Sequence, residues 1–86
     1  MDAKSRMLIS KLLMLGFKPT GHINIDSRSF TLKATEVRVI PKSHNREAFI
    51  LIGKVIGQSF LDRENITEDT LTNILELSDK YNGTTA

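Results

Sequence analysis

Ala48-Phe-Ile-Leu-Ile52, then Gly53-Lys54, then Val55-Ile-Gly-Gln-Ser-Phe60 is the stretch whose conformation decides the fold. Two apolar runs flank a Gly-Lys pair, and Gly53 and Gly57 stand four residues apart. Each glycine inside a helix costs about 1 kcal/mol, so a β-hairpin is the favoured conformation. Gly53-Lys54 then suits a two-residue type II′ turn, whose first central position takes a positive φ. That register pairs Ile52 with Val55 and Leu51 with Ile56. A helix over residues 45–61 stays open as the alternative, because short apolar runs satisfy either period. As a hairpin the segment is apolar on both faces. It therefore belongs near the centre of a sheet, with one face against the chain's own helices and the other covered by the chain or by a partner.

Upstream, residues 21–40 alternate with period two: Ile23 and Ile25 against His22 and Asn24, then Phe30, Leu32 and Ala34 against Thr31 and Lys33. These are strands, with turn chemistry in Asp26-Ser-Arg-Ser29. Apolar parity then slips from even positions to Val37 and Val39, which requires a bulge or a chain reversal near Thr35. With a bulge, Lys33 and Arg38 point away from the core. Pro41-Lys-Ser-His-Asn-Arg46 is a polar, basic loop.

The two ends read as helices. Asp2 caps the first, which carries Leu8, Leu12 and Leu15, with Ile9 and Leu13, on a broad apolar face, and Gly16, Phe17 and Pro19 terminate it. Residues 62–65 form a polar connection. In Ile66-Thr-Glu-Asp-Thr-Leu71, Thr67 is the N-cap, Glu68 and Asp69 meet the positive end of the helix dipole, and Ile66 packs on Leu71. Leu71, Ile74, Leu75, Ser78 and Tyr81 share one face, and Asn82-Gly83 ends the helix. The expected fold is a single α+β domain over residues 1–83, a helix, a three- to four-stranded antiparallel sheet and a helix, with a frayed tail at 84–86.

The order is similar to that of the double-stranded-RNA-binding domain, and Ile52-Gly-Lys-Val-Ile-Gly-Gln-Ser59 looks like the last hairpin of that fold. That resemblance implies phosphate-holding lysines at the start of the second helix. This chain has Thr67, Glu68, Asp69 and Thr70 there, and carboxylates repel phosphate.

Eighty-six residues, 40% of them hydrophobic, suit one soluble domain rather than a large enzyme. With no cysteine there is no disulfide framework or thiol nucleophile, and two histidines, His22 and His44, do not make a conventional zinc set. No stretch approaches the ~20 apolar residues of a membrane span, and a cytoplasmic location follows as the expectation. No nucleophile–base pair, paired carboxylate or phosphate-binding glycine motif is legible, so no catalytic residue, metal or cofactor is expected.

Residues 1–46 hold nine Lys/Arg against Asp2, Asp26 and Glu36, a balance of +6, and residues 47–86 hold three against seven, a balance of −4. The expected function is a small non-enzymatic regulatory or inhibitor protein that docks on a protein partner or on itself, through Phe49, Ile50, Leu51, Ile52, Val55 and Ile56. The alternative is a nucleic-acid-binding protein whose basic half makes contact through Arg28, Lys33, Arg38, Lys42 and Arg46.

Overall fold

The computed structural model describes residues 1–24, 27–55 and 60–83, with the backbone alone at 22–24 and 60–62. The element order is α1 (Ala3–Met14), β1 (Lys18–Asn24), β2 (Ser27–Leu32), β3 (Thr35–Ile40), β4 (Phe49–Lys54), β5 (Phe60–Asn65) and α2 (Thr70–Tyr81). The chain is α+β, a helix at each end of a five-stranded antiparallel meander in the order β1-β2-β3-β4-β5. Among the described residues no helix is long and apolar enough to cross a membrane.

α1 forms where the sequence places it. The Asp2 carboxylate accepts from the Ser5 amide at 3.1 Å and the Ser5 hydroxyl at 2.9 Å, which satisfies an otherwise orphaned N–H. At the other end Gly16, at φ 98°, and Phe17 donate back to Leu13 and Leu12, closing the helix with a left-handed cap. Leu8, Leu12 and Phe17 are buried, but Leu13, Met14 and Leu15 are exposed, so the core face is narrower than the apolar pattern implied.

The parity slip is a chain reversal rather than a bulge. Leu32 pairs with Thr35 across a two-residue turn in which Lys33 sits at φ 54°. Asp26-Ser-Arg-Ser29 is not one turn: Ser27 and Ser29 are already in β2, and residues 25 and 26 lie outside the described set. β1 carries an irregularity between Pro19 and Ile23, at which Gly21 takes φ 81°.

The central stretch is strand, not helix, but its register differs from the expected one. Ile52 pairs with Asp62 rather than Val55, and Gly53 lies inside β4 opposite Phe60 and is not among the residues with positive φ. The type II′ turn at Gly53-Lys54 is therefore absent. Strand pairing runs on because β3 supplies a partner for Gly53 at Glu36 and for Lys54 at Thr35. Ile56 and Gly57 lie outside the described residues. Residues 62–65, read as a connection, complete β5. This edge strand is charged rather than alternating, a pattern that discourages further edge-to-edge pairing.

α2 begins at Thr70, not immediately after Thr67, and its N-cap residue Asp69 makes no side-chain cap bond. Thr67 instead opens the preceding turn: its hydroxyl accepts from the Asp69 amide at 3.2 Å, and the Thr70 hydroxyl accepts from the Thr67 amide at 2.7 Å. At the far end Asn82 accepts from the Ala34 amide and the Thr35 hydroxyl, which ties α2 to the β2–β3 turn. Both helices contact β3 and cover the same sheet face, where Phe30, Val37, Val39, Ile50 and Ile52 join Leu8, Leu12 and Ile74 in one core.

Candidate functional site

Because side chains alternate along a strand, the register divides the sheet into two faces. The rows Ser29-Arg38-Leu51-Arg63 and Lys18-Thr31-Glu36-Gly53, together with Ile40-Phe49-Asn65, belong to the face turned away from both helices. That face carries Lys18, Arg38 and Arg63 against one carboxylate, Glu36, among the described residues. Arg46 joins it from the β3–β4 loop. A bridge between Ser43 and Arg46 closes that loop into a tight turn, with the Ser43 amide donating to the Arg46 carbonyl at 3.1 Å.

Phe49 is the focus of this surface. The Arg63 guanidinium lies 3.9 Å from the ring centroid and that of Arg46 lies 5.5 Å away. Phe49 is half-buried while both arginines are exposed, so their charges face water. Arg38 stands in the next strand, its Nε donating to the Ser29 hydroxyl at 3.0 Å and its guanidinium 3.7 Å from Glu36. The carboxylate offsets part of that charge.

The residues expected at a protein interface are dispersed by the fold. Ile50 and Ile52 point into the helix-covered core at 0% exposure, which removes them from any surface. Phe49 and Leu51 point to the opposite, open face, Val55 is exposed at the end of β4, and Ile56 lies outside the described residues. A hairpin apolar on both sides is thus half core and half open face.

The expected nucleic-acid contacts separate likewise. Arg38 and Arg46 share the open face, whereas Arg28, opposite Val39, lies on the other side of the sheet with Phe30. Lys33 occupies the β2–β3 turn. Lys42 sits near the start of α1, where its amide donates to Asp2 at 2.9 Å and its ammonium lies 3.9 Å from Glu47. Arg63 was missed because its segment lacks apolar alternation; a charged run after an apolar strand, as in an edge strand, was the available signal. His44 is exposed in its loop, and the side chain of His22 lies outside the described residues.

The helix layer has a different character. Between α1 and the entry to α2 lies an open groove of about 430 Å³, lined by Met7, Leu8, Ile66 and Leu71 with Lys4 and Lys11 along one wall. Among the described residues no three His, Asp or Glu side chains stand together as a metal site. Comparisons with family models, with curated proteins and with solved structures each find no match.

Proposed function

We propose that this protein is a non-enzymatic nucleic-acid-binding protein that takes a single strand on the open face of its sheet. The observation that carries the proposal is the convergence of Arg46 and Arg63 on Phe49, beside Arg38, on the face no helix covers. A guanidinium stacked on a ring keeps its N–H fork free for a phosphate and offers a flat surface to a base. The acidic residues that argued against a polyanion, Glu68 and Asp69 at the start of α2, belong to the helix side of the sheet and leave this face cationic. A single strand fits better than a duplex, because an open sheet face is too broad to enter a groove that admits a helix or a two-stranded ribbon.

Docking on a protein partner keeps one supporting observation, the exposed apolar side chains of the helix layer, which lie apart from the hairpin first expected to serve.

Fluorescence anisotropy with labelled oligo(dT) and oligo(U), and with a duplex of equal length, tests the proposal across a salt series. Binding to the single strands should weaken as salt rises, with a log–log slope of about −0.7 per neutralised phosphate. The double variant R46Q/R63Q should lose two such contacts and lower the slope magnitude by about 1.4. Affinity no tighter than the non-specific range of about 10⁻⁴–10⁻⁶ M, or tight binding that R46Q/R63Q leaves intact, rejects it.

A further inference from the structure

We infer that the helix layer is a self-complementary surface on which two copies of this chain pair, α1 of each lying on α2 of the other. This goes beyond nucleic-acid binding and does not depend on it.

α1 turns Ser5, Leu8 and Leu12 to the sheet, which leaves Ala3, Met7, Ser10 and Met14 at i, i+4, i+7 and i+11 on the outward side. All four are exposed, Met7 at 60% and Met14 at 85%. Two long apolar side chains so open to water on one helical stripe are an unusual use of methionine unless something covers them. Five of the seven exposed large hydrophobic residues among those described, Met7, Leu13, Met14, Leu15 and Leu75, belong to the two helices or the end of α1.

Charge identifies the cover. Lys4, Arg6 and Lys11 are exposed along α1, whose body contains no acid. α2 turns Thr70, Ile74 and Ser78 inward and leaves Thr72, Glu76 and Asp79 exposed, with Glu68 and Asp69 exposed in the turn before it and Lys80 the one opposing charge in the helix. The two helices thus form one layer that is basic on one half and acidic on the other. An isologous pairing repeats each contact twice. Laying α1 on α1 would oppose like charges. Laying α1 on α2 sets Arg6 and Lys11 against Glu76 and Asp79 in both halves of the dimer and covers the Met7–Met14 stripe together with Leu75. The open sheet faces then point outward at opposite ends, both still accessible.

Sedimentation equilibrium and a charge exchange test the proposal. Wild-type protein should form a dimer at micromolar concentration in low salt and weaken as salt screens the pairs, with a Debye length of about 10 Å at 0.1 M. Glu76→Lys/Asp79→Lys and Arg6→Glu/Lys11→Glu, each alone, should raise the dimer dissociation constant at least about tenfold, since like charges then face each other. Mixed in equal amounts, the two variants should associate again, because each supplies the charges the other has reversed. All four positions are exposed, so circular dichroism and the urea midpoint should match wild type, and any variant that fails this control is replaced by its single substitutions. A wild-type chain that stays monomeric at hundreds of micromolar overturns the proposal and assigns the layer to a different protein. A dimer that ignores both reversals, or variants that do not recombine, overturns it equally.

Discussion

Asp2 links α1 to the β3–β4 loop. One carboxylate accepts from Ser5 at the helix start and from the Lys42 amide, forty residues away in the chain. Burial pushes the carboxyl up, but the hydrogen bonds from Lys42 and Ser5 outweigh it and hold the group below the ordinary aspartate value. Asp2→Ala should cost about 0.5–2 kcal/mol at neutral pH. The folded-state value is depressed, so the charge-dependent part of this stability is present above the unfolded-state pKa and is lost as pH falls through the folded one. Urea denaturation should show the gap between wild type and Asp2→Ala narrowing below about pH 4. A gap of equal size at both ends of that range would show that the ionised carboxylate contributes nothing. At the same scale, the Asp2 cap and the left-handed Gly16 were legible because their partners lie within five residues. The stack of Arg46 and Arg63 on Phe49 was not, since nothing near residue 63 names residue 49.

The entry to α2 shows how an element can be correctly identified while its start is misplaced. The local sequence points to Thr67 as the cap, yet the buried hydroxyl is that of Thr70, which accepts from the Thr67 amide and donates to the Asn65 carbonyl at 3.2 Å. Thr70→Val keeps the shape and strips both part-buried bonds, and at about 0.5–1.5 kcal/mol per bond it should cost about 1–3 kcal/mol. Thr67→Ala removes an acceptor at an exposed turn and should cost about 0.5 kcal/mol, the low end of the capping range. Chemical denaturation that ranks Thr67→Ala as the more damaging change would restore Thr67 as the principal cap. β5 carries the complementary lesson. Its sequence, Phe-Leu-Asp-Arg-Glu-Asn, has no apolar alternation, and it becomes a strand because β4 has a free edge to pair. Glu64 of β5 stays on the helix side within reach of the Asn73 amide at 3.4 Å, so even its polar residues find company under α2.

At the scale of the whole molecule the sheet separates two surfaces of different chemistry. One face is cationic around Phe49; the other carries a helix layer with exposed methionines and divided charge. Surfaces on opposite sides, sharing no partner residues, should behave additively. Arg46→Gln/Arg63→Gln should therefore leave the self-association constant within about twofold of wild type. Conversely, Glu76→Lys/Asp79→Lys should leave the affinity for a short single-stranded oligonucleotide within the same margin. Sedimentation and anisotropy on the wild type and these two variants would measure both. Loss of both activities in either variant would mean that the two faces are coupled and that the sheet does not insulate them.

The sequence by itself determined the α+β class, both helices, the strands that include Phe30 and Val37, and the caps at Asp2, Gly16 and Asn82, while the choice between strand and helix around Ile50 fell to the structure. Each of these rests on chemistry within a few residues: period, turn residues and capping groups. Only the tertiary structure decided that Ile50 and Ile52 face inward while Phe49 and Leu51 face out, because alternation marks two faces without saying which one the helices will cover. It also decided the register of β4. A strand continues as long as neighbours pair with it, and β3 and β5 carry it through Gly53, where local propensity asked for a turn. The cationic face follows from that register, since pairing Leu51 with Arg38 on one side and Arg63 on the other is what brings residues 38, 46, 49 and 63 onto one surface.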